Sequence, residues 1–368
     1  MSLDGLFALR ARQATPVFLH RKVVEMPPNP TVSVLIPTFN REAVLRRTVV
    51  SVLNQTLPVA EVIIADDGSV DDTRQLIEKL AEESPDYRSR LRYFYQPNQG
   101  KSIALNTALG QATGDWIAFN DSDDVWCPDK LARQFDALWR FPDCSACVTD
   151  ASYVDGDGNR VSAFATGRRG ELHEIGRIQN ARFVLAGLSH GILMPTIVVR
   201  RETMDKAGLF DPDYRVAQDV DFLFRLSLHT GIVYVNEPLV EVDRDSSRVA
   251  NRLTGRFTIR SEVRLKTHER MYEKWHRLVP DAFPDIHELV ARELSATRSA
   301  LANEYLLSSQ RAKARRALMQ ALRTRFTWPV MVKLVCATIL PLGLIEPSMR
   351  VWRAIASSTR RRSRNARM

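Results

Sequence analysis

The sequence predicts an α/β fold, in which an open, mostly parallel sheet flanked by helices is followed by a helical, basic extension. Three observations predict this fold. Short apolar runs alternate with amphipathic stretches from residue 32 to about residue 120, polar side chains follow each apolar run, and Lys and Arg accumulate after residue 255. With 368 residues, of which 45% are hydrophobic, the chain can bury one large core and carry an appendage.

The apolar runs predict buried strands, and the amphipathic stretches between them predict helices. The strands are expected at 32–36, 61–65, 91–95 and 116–119, and the helices at 41–53, 71–83 and 102–109. The first strand is expected to end at Pro37. Strands and helices that alternate in this way form a parallel sheet covered on both faces. Further on the alternation loosens, although a strand at 197–199 and a helix at 219–228 are still expected.

Composition divides the chain into three parts. A proline-rich stretch at 27–30 predicts a linker, so 1–29 is expected to be a basic extension, 30–255 the main domain and 256–368 a helical tail. The tail has 23 Lys and Arg against 9 Asp and Glu, whereas the first 255 residues have 29 against 34. The N-terminus has no secretory-signal pattern and four cysteines are too few for a disulfide scaffold, so we expect a cytoplasmic location.

Carboxylates follow the fourth predicted strand directly. Asp121, Ser122, Asp123 and Asp124 form a D-x-D motif at the edge of the sheet where ligands bind in folds of this kind. Two acidic side chains there can hold a divalent cation while substrate phosphates complete its shell. The same residues could also form a solvated acidic loop, but their position after a fourth parallel strand favours a ligand-binding site.

A second acidic pair, Asp66 and Asp67, follows the second predicted strand and precedes Gly68 and Ser69. A carboxylate at this place could accept hydrogen bonds from a nucleotide base or a ribose hydroxyl. The same four residues would also serve as a turn and a helix cap, so the motif alone leaves both interpretations open.

Together these motifs resemble glycosyltransferase family 2, a large family of inverting enzymes with the GT-A fold. The resemblance covers residue 32 to about residue 225 and is carried by the segments 32–41, 51–56, 61–69, 98–100 and 114–124. It implies transfer of a sugar from a nucleotide diphosphate-sugar, of which a uridine diphosphate-sugar is the usual donor. The Gln-x-x-Arg-Trp motif of the processive polymer synthases is absent from the sequence, which favours single additions.

The resemblance also implies roles for individual residues. The residues implied to contact the nucleotide or the donor are Thr38, Asn40, Asp67 and Lys101. Asp121 and Asp123 are implied to contact the ribose and the metal ion, and Asp124 is implied to support the metal contact. The implied cofactor is Mg²⁺ or Mn²⁺.

The family's catalytic base is an Asp in a Glu-Asp pair that opens a helix, and Asp219 takes that position here. Gln218 stands where the family usually has Glu, and Asp221 could share the role of the base. An inverting transfer needs one carboxylate to remove the proton of the acceptor hydroxyl. A simple N-terminal helix cap remains the other interpretation of Asp219.

The tail contains an apolar segment at 326–345, in which Lys333 is the one charged residue, with arginines on both sides. Basic flanks on both sides oppose a single membrane span, so we expect the segment to lie in the membrane interface. A spanning segment and a helix packed on the protein itself are the alternatives. A membrane surface would suit a lipid-linked or glycan acceptor. The arginines have no base-reading module or aromatic platform beside them, so no nucleic-acid partner is expected.

Other functions fit the sequence less well. A haloacid-dehalogenase-like phosphatase shares the D-x-D pattern but carries it after the first strand of its fold. A dinucleotide-binding oxidoreductase would need Gly-x-Gly-x-x-Gly after the first strand, and a P-loop nucleotidase would need Gly-Lys-[Ser/Thr]. The remaining alternative is a catalytically degenerate protein that binds sugar nucleotides or acts as a scaffold, which the replacement of Glu by Gln218 favours.

Overall fold

The structure, a computed structural model, describes residues 30–167, 173–178, 191–214, 217–244 and 262–339. The predicted N-terminal extension at 1–29 and the predicted boundary at 255 lie outside the described residues. Within those residues ten strands form one sheet. They are β1 Val32–Thr38, β2 Glu61–Asp66, β3 Leu91–Tyr95, β4 Trp116–Phe119, β5 Val125–Trp126, β6 Ala146–Val154, β7 Arg160–Ser162, β8 Ile175–Ile178, β9 Ile197–Arg200 and β10 Ile232–Asp243.

Helices pack on both faces of this sheet and continue beyond it. They are α1 Glu42–Leu53, α2 Thr73–Glu83, α3 Pro85–Arg90, α4 Lys101–Gln111, α5 Lys130–Arg140, α6 Ala163–Gly167, α7 Arg201–Ala207, α8 Gln218–Ser227, α9 Glu262–Leu278, α10 Pro284–Leu307, α11 Arg311–Thr324 and α12 Trp328–Ile339. The predicted alternation of strands and helices is confirmed up to β4, and the helical character of the tail is confirmed from α9 to α12.

The strand order in the sheet is β3-β2-β1-β4-β9-β6-β10-β5, with β7 beside β6 and β8 beside β10. The pairs of β1 with β2, β2 with β3 and β1 with β4 are parallel, so the carboxyl ends of these four strands meet at one edge. The strand β9 is antiparallel to both β4 and β6 and joins the parallel half to the rest of the sheet.

The prediction that the first strand ends at Pro37 is wrong, because β1 continues through Pro37 to Thr38. The ladder between β1 and β4 ends at the pair Leu35 and Phe119, whereas the ladder with β2 extends to the pair Thr38 and Asp66. Beyond Leu35 the strand has a neighbour on one side only, so proline's missing N–H does not break a ladder on the β4 side. The extension brings Thr38 to the ligand edge.

The apolar segment of the tail is described as far as residue 339, and 340–345 lies outside the described residues. Its helix α12 packs against α11 and α10, with Val330 and Ala337 buried in a cluster around Leu301 and Leu318. The described residues contain no helix with the length and apolar character needed to cross a membrane.

Candidate active site

The polar residues that follow β1, β2 and β4 lie at the shared carboxyl edge of these strands, as the alternation predicts. Asp67 connects the loop after β2 to the loop after β3. Its carboxylate accepts hydrogen bonds from Gln96 Nε2 at 2.7 Å, from the Gln99 N–H at 2.9 Å and from the Gly100 N–H at 2.7 Å. The two loops approach so closely that a Cβ atom on Gly68 would lie 2.8 Å from the Asn98 nitrogen. Only glycine fits there, and its φ of +89° also favours glycine.

Thr38 and Asn40 lie beside this loop pair and differ in their partners. The Thr38 hydroxyl is buried and has no hydrogen-bond partner among the described residues. In contrast, the Asn40 side-chain oxygen accepts from the Val70 N–H at 2.9 Å, and the Asn40 N–H donates to Ser69 Oγ at 2.8 Å. Asn40 therefore shapes the loop, whereas the Thr38 hydroxyl has no protein partner of its own among the described residues.

Lys101, the first residue of α4, connects the acidic motifs. Its Nζ lies 2.5 Å from Asp121 Oδ1. Burial alone would lower the pKa of Lys101, but the ion pair with Asp121 and the charges of Asp219 and Asp123 raise it above its ordinary value. The ammonium group is therefore charged, and its ion-pair partner is Asp121 in the loop after β4.

The three carboxylates of the D-x-D region repel one another. Asp124 is buried, and this burial together with the charges of Asp121 and Asp123 raises its pKa well above the ordinary value, against the opposing charges of Lys101 and Arg244. Among the residues that the structure describes, no group of three or more His, Cys, Asp or Glu side chains forms a metal site by itself. The crowded carboxylates are nevertheless hard oxygen ligands in excess of the local cations, which fits a divalent ion completed by substrate oxygens.

Two neighbouring residues of α1 hold the main chain of the D-x-D loop, and sequence reasoning missed both. Thr48 Oγ1 donates to the Ser122 carbonyl at 3.2 Å, and an Arg47 guanidinium nitrogen donates to the Asp123 carbonyl at 3.1 Å. The same Arg47 nitrogen lies 2.6 Å from Asp243 Oδ2 at the end of β10. No spacing in the sequence indicates these contacts, because the partners are 74 to 196 residues apart.

Asp219 lies in the first turn of α8, which begins after Ala217 in a left-handed conformation with φ of +64°. Burial raises the pKa of the Asp219 carboxyl, the nearby Lys101 charge opposes this, and Asp121 adds to it. A carboxylate with a raised pKa is a better proton acceptor than an ordinary one. The structure therefore brings a basic carboxylate close to the cation that pairs with the D-x-D motif.

Asp221, two residues further along α8, is fully buried and already has its partners. Its carboxylate accepts from Arg225 Nε at 2.9 Å, from Trp275 Nε1 at 2.9 Å and from Lys274 Nζ at 3.2 Å. Trp275 and Lys274 belong to α9, so Asp221 joins α8 to the helical tail. The Arg225 contact follows from the i, i+4 spacing, but sequence alone gave no sign of the α9 contacts.

The sequence of this site matches known proteins. The family model described as glycosyl transferase family 2 matches residues 33–206. An uncharacterised glycosyltransferase of Nostoc sp. is 33% identical over 49% of this chain and 54% of its own length. TuaG of Bacillus subtilis, provisionally named a teichuronic acid biosynthesis glycosyltransferase, is 38% identical over 37% of this chain and 52% of its own length. The chain thus spans about half the length of these curated relatives.

Solved structures share the fold. The crystal structure of S. aureus TarS 1-349 in complex with UDP-GlcNAc has a TM-score of 0.58 and 18% identity, over 80% of this chain and 81% of that one. The mannosyltransferase PcManGT from Pyrobaculum calidifontis, in complex with GDP-Man and Mn²⁺, has a TM-score of 0.51 and 22% identity, over 89% of this chain and 84% of that one. The sheet is that of the GT-A fold, and residues 33–206 of the chain match glycosyltransferase family 2.

Proposed function

We propose that the protein is an inverting glycosyltransferase that moves a sugar from a nucleotide diphosphate-sugar, a uridine diphosphate-sugar by preference, to a hydroxyl acceptor. One observation carries this proposal. Lys101 is paired with Asp121 of the D-x-D motif, and the charge of Asp219 also raises its pKa. One cation is therefore near both the carboxylates suited to a diphosphate-bound metal and a carboxylate suited to remove a proton.

The nucleotide would bind at the loops that follow β1 and β2. Thr38 supplies a buried hydroxyl that lacks a protein partner, and Asp67 is fixed by three hydrogen bonds at the same edge. Asn40 shapes the loop beside them. The TarS complex with UDP-GlcNAc, which has the same fold, makes a uridine nucleotide the first ligand to test.

The D-x-D motif would hold the metal ion. Asp121 and Asp123 are the proposed ligands of Mg²⁺ or Mn²⁺, and the buried Asp124 lies beside them. When bound, the ion would neutralise the charge that develops on the diphosphate leaving group. The positive charge of Lys101 favours the same phosphates.

Asp219 is the proposed catalytic base. Its carboxylate would accept the proton of the acceptor hydroxyl while that oxygen attacks the anomeric carbon on the face opposite the leaving diphosphate. The raised pKa of Asp219 suits this role. Asp221 is the less suitable candidate because Arg225 and Trp275 occupy its oxygens.

We place the reaction at the inner face of the cytoplasmic membrane, with a lipid-linked or glycan intermediate of the cell envelope as acceptor. Two relatives support this choice. TuaG is named for teichuronic acid biosynthesis, and a Campylobacter jejuni relative, 37% identical over 26% of this chain, is named for glucose transfer to an undecaprenol-linked glycan. The acceptor would reach the site from the membrane surface.

The donor site is tested by thermal unfolding with a panel of nucleoside diphosphates, each with and without Mn²⁺. A nucleotide at about one hundred times its Kd should stabilise the fold by roughly 2.7 kcal/mol. We expect one nucleotide to stabilise the protein in a metal-dependent way, and Asp123→Ala to abolish the effect. If no nucleotide stabilises the protein, the proposed donor site is wrong.

Turnover separates an enzyme from a degenerate binding protein. Asp219→Asn keeps the shape of the side chain but removes the proton acceptor, so we expect unchanged nucleotide stabilisation and a loss of transfer of about 10²- to 10⁴-fold. Asp205→Asn, an exposed carboxylate on α7, is the matched control and should transfer normally. Nucleotide binding without any transfer or donor hydrolysis by the wild-type protein would favour the degenerate alternative.

A further inference from the structure

Helix α12 carries a stripe of large apolar side chains that the rest of the described protein leaves uncovered. Trp328 is 71% exposed, Val332 56%, Val335 45% and Ile339 72%. Their spacing of four, three and four residues places them on one face of the helix. We call these four residues the α12 stripe.

The opposite face of α12 fixes the helix on the protein, so the stripe faces outward. Val330 and Ala337 are buried against α11 and α10. Lys333 is on the packed side, where its Nζ donates to Ser299 Oγ of α10 at 2.9 Å, and burial lowers its pKa. The Arg311 guanidinium also donates to the Ala337 carbonyl at 2.6 Å.

Aromatic residues enlarge the apolar surface at the start of α12. Phe326 is 55% exposed, and its ring lies edge-on to the indole of Trp328 with a centroid separation of 5.5 Å. An exposed tryptophan at the end of an apolar face is typical of proteins that lie at the boundary between lipid headgroups and acyl chains.

The charge of α11 and α12 indicates which kind of partner the stripe can contact. Residues 311–339 contain seven Lys and Arg and neither Asp nor Glu. On α11 the exposed members are Lys313, Arg315, Arg316 and Arg323. An anionic surface would complement this charge, whereas a second copy of the same face would repel it. The chain's own segment 340–368 is also basic, with seven Arg and one Glu, so it would meet like charge.

We propose that the α12 stripe lies on an anionic lipid surface, with its apolar side chains at the headgroup boundary and the basic residues of α11 near the lipid phosphates. This inference deepens the proposed function by naming the surface that would hold the enzyme at its acceptor, but vesicle binding itself requires no transfer. Raised salt should weaken the binding, because the basic residues contribute through screened charge attraction.

The test is co-sedimentation of the full chain with phosphatidylcholine vesicles, with and without phosphatidylglycerol. We expect binding to the anionic vesicles and a loss of roughly tenfold in partitioning for Val332→Asp, because the new charge opposes insertion of the apolar face. Val263→Asp on α9 is the matched control, since Val263 is also 56% exposed, and it should bind like the wild type.

Each other outcome overturns the inference. The inference is wrong if Val332→Asp binds vesicles as the wild type does, or if Val263→Asp loses as much binding as Val332→Asp. It is also wrong if the wild-type protein does not bind vesicles. A dimer that Val332→Asp converts to a monomer, without vesicle binding, would assign the stripe to a second copy. A cooperative thermal unfolding transition near that of the wild type reports that both variants are folded. Transfer to a water-soluble acceptor is measured in parallel, so a failure of the proposed function is distinguishable from a failure of lipid binding.

Discussion

A half-buried lysine and a fully buried lysine show how the surroundings of one residue decide its charge. Lys101 forms an ion pair with Asp121, and the charges of Asp121, Asp219 and Asp123 keep its pKa raised. Lys130, fully buried at the start of α5, donates to Gln134 Oε1 at 2.9 Å and lies 3.8 Å from the centroid of the Trp126 ring. Burial lowers the pKa of Lys130 to about 7. The first lysine therefore belongs to the charged site, whereas the second belongs to the core.

The lowered pKa of Lys130 predicts a pH dependence of stability. Between pH about 7 and the ordinary lysine pKa of about 10.4, the unfolded chain binds this proton more than the folded protein does. The free energy of unfolding should therefore rise with pH in this range, by at most about 1.4 kcal/mol per pH unit. Lys130→Met removes the contribution. Urea unfolding of both proteins at several pH values measures it.

Subtracting the free energy of unfolding of Lys130→Met from that of the wild type at each pH removes the contributions of all other titrating groups. Parallel pH profiles for the two proteins would contradict the prediction and would mean that the Trp126 ring holds the ammonium charged in the folded state.

At the scale of secondary-structure elements, two helices outside the parallel strands hold the pieces of the site in place. Helix α1 holds the D-x-D loop through Arg47 and Thr48. Helix α9 of the tail holds α8, which carries Asp219, through the bond from Trp275 to Asp221. The strands thus bring the motifs to one edge, and these helices fix their positions.

Arg47→Ala is expected to weaken the metal-dependent binding of nucleotide by roughly tenfold, because a charge-assisted hydrogen bond to the D-x-D main chain is lost. The measurement is the nucleotide concentration that gives half-maximal stabilisation in the presence of Mn²⁺. Arg46→Ala is the control, since the neighbouring Arg46 pairs with Glu83 on the surface. Equal affinities in the two variants would show that Arg47 does not position the motif.

Trp275→Phe is expected to lower kcat and leave the KM for the donor unchanged, because it loosens α8 and not the nucleotide loops. The substitution removes the indole N–H that Asp221 accepts but keeps an aromatic ring on Phe224, where the rings stack with centroids 3.9 Å apart. Leaving a buried acceptor with one donor fewer costs about 1–3 kcal/mol of stability. Steady-state kinetics and urea unfolding measure the two effects.

The control for Trp275→Phe is Trp139→Phe, since Trp139 is 53% exposed on α5. If Trp275→Phe raises the donor KM instead, α9 supports the donor site rather than the base.

At the scale of the whole molecule, α10 links two apolar cores. Its first half contributes Ile286 and Val290 to the cluster that covers the sheet. Its second half contributes Leu301 and Tyr305 to a separate cluster with α11 and α12. The tail helices can therefore loosen without loss of the sheet's own packing.

Leu301→Ala should destabilise the tail cluster by about 2–5 kcal/mol, because it leaves a cavity in a buried site. Hydrogen exchange followed by mass spectrometry should show faster exchange in α11 and α12 and unchanged exchange in β1 and β4. Leu35→Ala, an equally buried leucine in the sheet, should give the reverse pattern. A uniform increase along the chain in either variant would contradict two separable units.

The local pattern was enough for the parallel half of the fold. The bounds predicted for β3 and β4 agree with the structure, because each apolar run is closed by polar residues at both ends. The prediction failed at Pro37, where the outcome depends on how many neighbours β1 has at that point. The order of the sheet beyond β4, with antiparallel β9 between two parallel pairs, has no signal in the alternation.

The sequence by itself determined the α/β alternation, the family motifs and the basic, helical tail, because each rests on residues close together along the chain. Only the tertiary structure decided which residues meet across long separations. It paired Lys101 with Asp121 of the D-x-D motif within reach of the charge of Asp219, gave Asp221 its partners on α9, and turned one face of α12 outward. Such contacts follow from the packing of whole elements, which sets each side chain's burial and electrostatic surroundings and leaves no periodicity to read in the sequence.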